Sequence, residues 1–421
     1  MGRRRIAVVG GGISGLTAAH ILQGANEVTL YESDCRLGGH AQTHQFTDSE
    51  GKPFSVDSGF ITFSPRSYPY LTRLFEELRV PSIPTYFSFG IGCNGCGLEY
   101  LVSTNMRALY PRVKLKDGSK YLALLMQIPA FNRIARRLAR SDAEEPFDSL
   151  EDVLKRCRFT PYFIQHYVVP LVSSLWSCSP ELVATYPAHY VAKYLHRHGL
   201  LSVHSSNGWR TVSGGSREYV TRLARTLTDV RLSMPVEGVR RSAAEIEVMT
   251  AAGSAERYDA VVMATPANIS LRLLVDPTAA ERRVLGAFSY SRNEVTIHTD
   301  SSILNSRRQA RGSWNYRLAA CAADPGGAQS TYYMNLLQNL GTAEDCFVTL
   351  NGRSLLRDET VLAEVTYDHP IDNASSVTAR LSLSSLNTAH TVFAGSYHGW
   401  SSHEDGCFSG VQAAMSLGAR W

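Results

Sequence analysis

The apolar positions change period several times along the chain, and each change marks an element. Ile6 to Val9 is an unbroken run of apolar residues, the pattern of a strand covered on both faces. Leu16 to Leu22 then repeats at helical spacing, and Glu27 to Tyr31 returns to strand composition. Tyr68 to Leu78 reads as an amphipathic helix. Tyr86 to Ile91 and Leu98 to Val102 alternate with a period of two around Cys93-Asn-Gly-Cys96, where Asn94-Gly95 signals a hairpin.

Between Lys120 and Leu200 the spacing predicts helices over Tyr121 to Ala139, Ser149 to Lys155, Pro161 to Leu175 and Pro180 to Leu195. A further helix is expected at Glu218 to Leu227. Strands follow at Arg231 to Val239, Glu245 to Thr250 and Ala260 to Ala264. Later strand-like runs, Glu294 to Thr299, Gly312 to Arg317, Cys346 to Leu350 and Leu362 to Tyr367, suggest a sheet flooring a pocket. Val411 to Leu417 is read as a closing helix.

The first strand and helix carry the clearest chemistry. Gly10, Gly12 and Gly15 form G-x-G-x-x-G at a strand-to-helix turn, a context that lifts the motif above chance. Gly10 permits the tight turn, Gly12 lets backbone approach a pyrophosphate, and Gly15 lets helix and strand pack closely. Glu32, twenty residues after Gly12, ends the second strand, where a carboxylate accepts hydrogen bonds from a ribose 2′-hydroxyl. A dinucleotide site follows.

After Glu32 come Arg36-Leu-Gly-Gly39 and then Val56-Asp-Ser-Gly59-Phe60. With these the chain resembles the FAD-dependent amine oxidase superfamily, which includes monoamine oxidases, protoporphyrinogen oxidases and phytoene-desaturase-like enzymes. Four segments narrow the likeness to a bacterial branch of NAD/FAD-binding, amine-oxidase-like proteins: Val56 to Phe63, His196 to Leu201 with Trp209 to Gly215, Ser313 to Tyr316, and Tyr397 to Gly406. The resemblance implies an α/β fold. Its Rossmann-like FAD-binding domain would be of the glutathione-reductase type, with a single dinucleotide site and an inserted α+β substrate domain.

The implied FAD domain is discontinuous, 1–75, 205–267 and 390–421, and the substrate domain takes 76–204 and 268–389. The cofactor-binding residues carried over are Gly10, Gly12, Ile13, Ser14, Gly15, Glu32, Ser33, Arg36, Gly38, Gly39, Gly59, Phe60, Val236, Ala264, Gly395, Ser396, Glu404, Asp405 and Gly406. Ser396-Tyr-His stands where monoamine oxidases attach FAD through a cysteine, so noncovalent FAD is expected. Some members of the branch are associated with fatty acyl oxidation, which makes a lipid-like substrate an expectation.

Composition narrows the alternatives further. The 421 residues are enough for two domains, and 44% hydrophobic with 19% charged residues describes an ordinary globular protein. A net charge of +4 is too mild to suggest nucleic-acid binding. No apolar run reaches membrane-spanning length, so a cytoplasmic location is the default, with peripheral membrane contact left open by the cluster Arg133 to Arg140. The eight cysteines are too scattered for a disulfide framework. The lone C-x-x-C is read as turn chemistry rather than a zinc site, and no metal is expected.

Three residues near the end are candidates for catalysis: His403, Tyr397 and Trp400. An imidazole at His403 can accept a proton near neutral pH or can merely order its loop. His198, at a helix end, either caps and packs or reaches the ligand; Trp314 and Tyr316 alternate on one strand and either line the pocket or fill core. The Gly pairs at Ser213 to Ser216 and Pro325 to Gly327 lack dinucleotide spacing, so electrons leave to oxygen or another acceptor rather than to bound NADPH. The leading expectation is an FAD-dependent oxidase or dehydrogenase that desaturates or oxidises a hydrophobic small molecule or acyl chain. The alternatives are amine oxidation at a C–N bond and a redox-neutral isomerase or cyclase, or a structural FAD.

Overall fold

The computed structural model describes residues 3–102, 118–141, 148–201, 208–242, 245–321 and 329–421. A five-stranded parallel sheet takes its strands from three separated stretches, in the order Thr391–Phe393, Ala260–Met263, Arg5–Val9, Glu27–Tyr31, Asp229–Arg231. Ile6 pairs with both Val28 and Ala260, so the first strand is central. Its apolar run is buried because helices cover one face, over Ile6 and Val8, and Val239, Ile246 and Val248 of a three-stranded sheet join the cluster that covers Ala7 and Val9 on the other. On one face lie the helices Ile13–Leu22 and His403–Ser416, packed so closely that a Cβ at Gly410 would lie 2.4 Å from the Ser14 carbonyl oxygen.

The second sheet has seven strands, ordered Val361–Ile371, Ser289–His298, Phe347–Leu350, Ser330–Tyr333, Trp314–Leu318, Phe89–Cys93, Leu98–Val102. Its Phe89 end packs on a helical layer whose core includes Phe131, Phe159, Phe163 and Tyr167. A three-stranded antiparallel sheet, Val236–Arg241, Ile246–Thr250 and Ala255–Tyr258, flanks the parallel one. The α/β class and the parallel sheet agree with the expectation.

Several elements depart from the sequence reading for identifiable reasons. The run Arg231 to Val239 divides between two sheets, because Ser233 turns the chain at φ 50° and Pro235 cannot donate to a ladder. Pro180 to Leu195 divides into Pro180–Val183 and Ala188–Arg197, with Pro187 as the N-cap of the second helix. The hairpin turn takes four residues, 94 to 97, and Gly97 rather than Gly95 holds the positive φ, 69°. The closing helix begins at His403, eight residues before Val411, because Ser402 and Asp405 form a reciprocal capping box.

The helix from Pro161 contains a π-turn at Ile164–Val168. Pro170 cannot donate to the His166 carbonyl four residues back, so one turn widens and the Val169 amide bonds Ile164 instead. The Tyr100 hydroxyl donates to the His166 carbonyl at 2.7 Å, filling the vacancy in the ladder. His166 is thereby aimed at the hairpin tip.

Candidate active site

A cavity of about 680 Å³ runs from the glycine turn to the underside of the seven-stranded sheet. At the glycine end every constraint suits a pyrophosphate. Gly10 sits at φ 110°, and a Cβ there would lie 2.7 Å from the Ala264 carbonyl oxygen; a Cβ at Gly15 would lie 1.9 Å from the Gly10 carbonyl oxygen. Around Gly12 there is open space, and the helix it caps has neither a side-chain cap nor an acidic residue in its first turn. Its leading N–H groups are left for an anion.

Glu32 completes this end. One carboxylate oxygen accepts from the Gly11 amide at 2.7 Å and the other from the Asp34 amide at 2.8 Å, so the acid braces the turn while facing the cavity. Among the other expected cofactor residues, Ile13, Ser14, Ser33, Gly38, Gly39, Gly59, Phe60, Val236, Ala264, Gly395 and Ser396 line the wall with Gly10 and Gly12. The donor groups and the space fit a dinucleotide such as FAD.

Five expected cofactor residues stand elsewhere. Arg36 turns into the protein, donating to the Gly39 carbonyl at 3.0 Å and to Gln42 Oε1 at 2.8 Å, so it pins the Gly38-Gly39 turn. Glu404 accepts from the Tyr70 and Leu71 amides at 3.0 and 2.9 Å, capping the helix Pro69–Glu77. Asp405 is spent on Ser402 and on the Trp400 amide at 3.0 Å. Gly406 makes room for Ile13, whose Cγ2 would be 2.7 Å from a Cβ there. Gly15, likewise, serves packing behind the wall.

At the far end the wall is aromatic. Tyr332, Trp314, Phe87 and Trp209 follow one another with ring centroids 5.1, 5.0 and 5.8 Å apart. His198 continues the belt, 6.4 Å from Trp209, 4.1 Å from Tyr194 and 5.6 Å from Tyr68. Among the described residues no charged side chain belongs to it. Burial, aided by Arg197, lowers the His198 pKa to about 3, so the ring is neutral. Trp314 Nε1 is buried with no acceptor among the described residues and suits a ligand that carries one.

Trp314 therefore lines the pocket, whereas Tyr316 is buried in core, and Asn315 turns to bond Gly312. His198 both ends its helix, through its amide to the Tyr194 carbonyl at 3.0 Å, and faces the cavity. Phe87, Tyr194, Tyr332 and Tyr68 were missed by sequence reading. They come from four distant segments, and nothing in the spacing of any one of them points to a common wall.

The three catalytic candidates separate. His403 lines the cavity, stacked on Phe60 at 4.0 Å, with Nε2 hydrogen bonded to the Tyr219 hydroxyl at 2.6 Å. Burial and nearby His40 lower its pKa to about 3. Tyr397 reaches the wall, but its ring packs 5.2 Å from Phe288 in the core behind the parallel sheet. Trp400 is not in the wall; it packs against Tyr190 and beneath the Arg197 guanidinium.

Fold and site together define an α/β protein whose parallel sheet and glycine turn form a dinucleotide-type groove that opens into an aromatic pocket. Residues 13–322 match the family model described as flavin containing amine oxidoreductase, and the chain belongs to that family. Membership implies FAD as the cofactor. Among curated proteins the chain is similar to (S)-6-hydroxynicotine oxidase of Paenarthrobacter nicotinovorans, 25% identical over 287 residues, which are 66% of this chain and 63% of that protein. The chain thus spans less than two thirds of that relative's length.

Among solved structures, cyclohexylamine oxidase from Brevibacterium oxydans IH-35A superposes with a TM-score of 0.71 at 15% identity over 99% of both chains. Putrescine oxidase bound to putrescine gives the same TM-score, identity and coverage. At such identities the likeness is one of fold. Among the described residues no helix is long and apolar enough to cross a membrane.

Proposed function

We propose that the protein is an FAD-dependent oxidase of a hydrophobic amine, acting at the carbon that bears the nitrogen. The uncharged aromatic belt carries this reading. Family membership moves the weight from acyl-chain desaturation, the leading expectation from sequence, to the C–N alternative. When bound, FAD supplies the hydride acceptor.

The chain's own part is selection and exclusion of water. Ring faces attract a cation, but among the described residues the belt has no carboxylate to pair with a buried ammonium, so the free base is the form admitted. Imidazoles in the wall stay neutral and do not repel it: His198 and His403 at about 3, and His369 lowered to about 3 by burial and His40. No cysteine lines the wall among the described residues, which supports noncovalent FAD. Acid precipitation then releases the yellow colour into the supernatant, and colour kept in the pellet contradicts it.

The deciding experiment is anaerobic mixing of the holoenzyme with a panel of cyclic, aryl and aliphatic amines beside unsaturated fatty acids. Bleaching of the flavin band by amines alone, steeper at pH values above the amine's own pKa, is the expected result. Bleaching only by acyl substrates restores the desaturase reading. Turnover without bleaching or oxygen consumption points to a redox-neutral reaction instead.

A further inference from the structure

Outside the cofactor cavity, Cys93, Cys96, His166 and Cys321 converge at the tip of the hairpin Phe89–Cys93 and Leu98–Val102. One ligand atom from each residue lies within 4.8 Å of all the others. Cys93 Sγ is 3.7 Å from Cys321 Sγ, and Cys96 Sγ is 3.6 Å from His166 Nε2. A tetrahedral ion with metal–sulfur bonds of about 2.3 Å and metal–nitrogen bonds of about 2.0 Å sets its ligands apart by roughly these spacings. Hydrogen-bonded thiols alone give no reason for four soft donors from three elements to meet.

The surroundings prepare the donors. His166 Nδ1 lies 2.9 Å from the Tyr162 carbonyl oxygen, an acceptor only, so Nδ1 carries the proton and Nε2 presents a lone pair to the cluster. The ring is held there by stacking on Tyr162 at 4.1 Å, and the π-turn at Ile164–Val168 sets the direction of its side chain. Arg317, hydrogen bonded to Asn94 Oδ1 at 2.9 Å, supplies a cation beside the turn. It would offset the net negative charge of three thiolates and one divalent ion.

We propose that Cys93, Cys96, Cys321 and His166 bind a structural zinc ion. On binding, the three thiols each give up a proton to solvent and the imidazole binds neutral, with no change of oxidation state. Four protein ligands close the coordination sphere, so the ion has no open position for chemistry. Its effect is mechanical. It ties the hairpin tip, the helix Pro161–Trp176 and the end of the strand Trp314–Leu318, two of which deliver Leu175 and Trp314 to the pocket wall.

The test is metal analysis of the holoenzyme expressed with zinc and purified without chelator under reducing conditions. Zinc stoichiometric with the chain is expected. Replacing it with cobalt should give thiolate-to-metal charge transfer and the intense visible bands of a tetrahedral ion. Cys321→Ser, at an exposed position where folding is readily tolerated, should weaken zinc binding by at least the roughly 10–100-fold that loss of an outer-shell partner costs. His166→Ala should do the same, with folding checked by circular dichroism. Folded wild-type protein that binds no zinc, a Cys93–Cys321 disulfide found in the untreated protein, or unaltered zinc affinity in Cys321→Ser would each overturn the proposal.

Discussion

His403 shows how a side chain can stand at a reactive place and lack the means to react. Its Nε2 is committed to the Tyr219 hydroxyl, and its pKa of about 3 leaves it a weak proton acceptor at neutral pH. Its stack on Phe60 makes it part of a rigid wall instead. His403→Asn should therefore slow flavin reduction less than tenfold and leave the pH dependence of that step unaltered, where loss of a true general base costs about 10²–10⁴-fold. Rapid-mixing kinetics decide it, and a hundredfold loss would return His403 to the chemistry. The glycines were legible because a turn and a close approach each demand one residue type at one spacing, and Glu32 because the end of the second strand falls at a fixed distance from that turn. The belt was not, because any apolar position can carry an aromatic ring.

At the scale of elements, polar residues near the end of the chain hold helices rather than a ligand. Glu404 is the clearest case: burial pushes its carboxyl up from the usual range, and the Tyr70 and Leu71 amides work against that shift. Glu404→Ala leaves one buried and one half-buried amide without an acceptor and should cost about 1–3 kcal/mol in chemical denaturation. Flavin affinity of the folded protein should change little; a selective loss of flavin with stability intact would put the carboxylate back at the cofactor. Long periodic runs such as Tyr121 to Ala139 were read nearly to their ends, observed as Gly118–Ala139. Errors gathered where one residue decides the path, as at Pro187 and Ser233, or where the caps Ser402 and Asp405 outweigh a glycine-rich composition.

The whole molecule carries an excess of imidazoles whose pKa values are lowered, some buried and others only partly so. His198 and His403 titrate at about 3, His298 and His398 at about 4, all lowered chiefly by burial, and His40, His44, His189 and His369 shift the same way. A lowered folded pKa means stability that is present above the unfolded value of 6.5 and lost as pH falls toward the folded one. Asp57, raised to about 6 mainly by burial, and Asp372, Glu404 and Asp405, also raised, act in the opposite sense: their contribution is present at low pH and lost on the way up. The imidazoles outnumber them. The urea midpoint of flavin-free protein should fall between about pH 7 and about pH 5, and a flat or rising midpoint would refute the balance.

The parallel sheet has a consequence for the order of synthesis. A ribosome makes the glycine turn, Gly10 to Gly15, long before the strand Thr391–Phe393 and the helix His403–Ser416 that cover its neighbours. Until they emerge, Leu16, Leu22 and Val8 lack part of their cover, and Ser396 and His403 are missing from the cavity wall. The cofactor cavity is therefore complete only once these segments have been made, and a chain stalled before them would expose a sticky half-domain whose wall lacks Ser396 and His403.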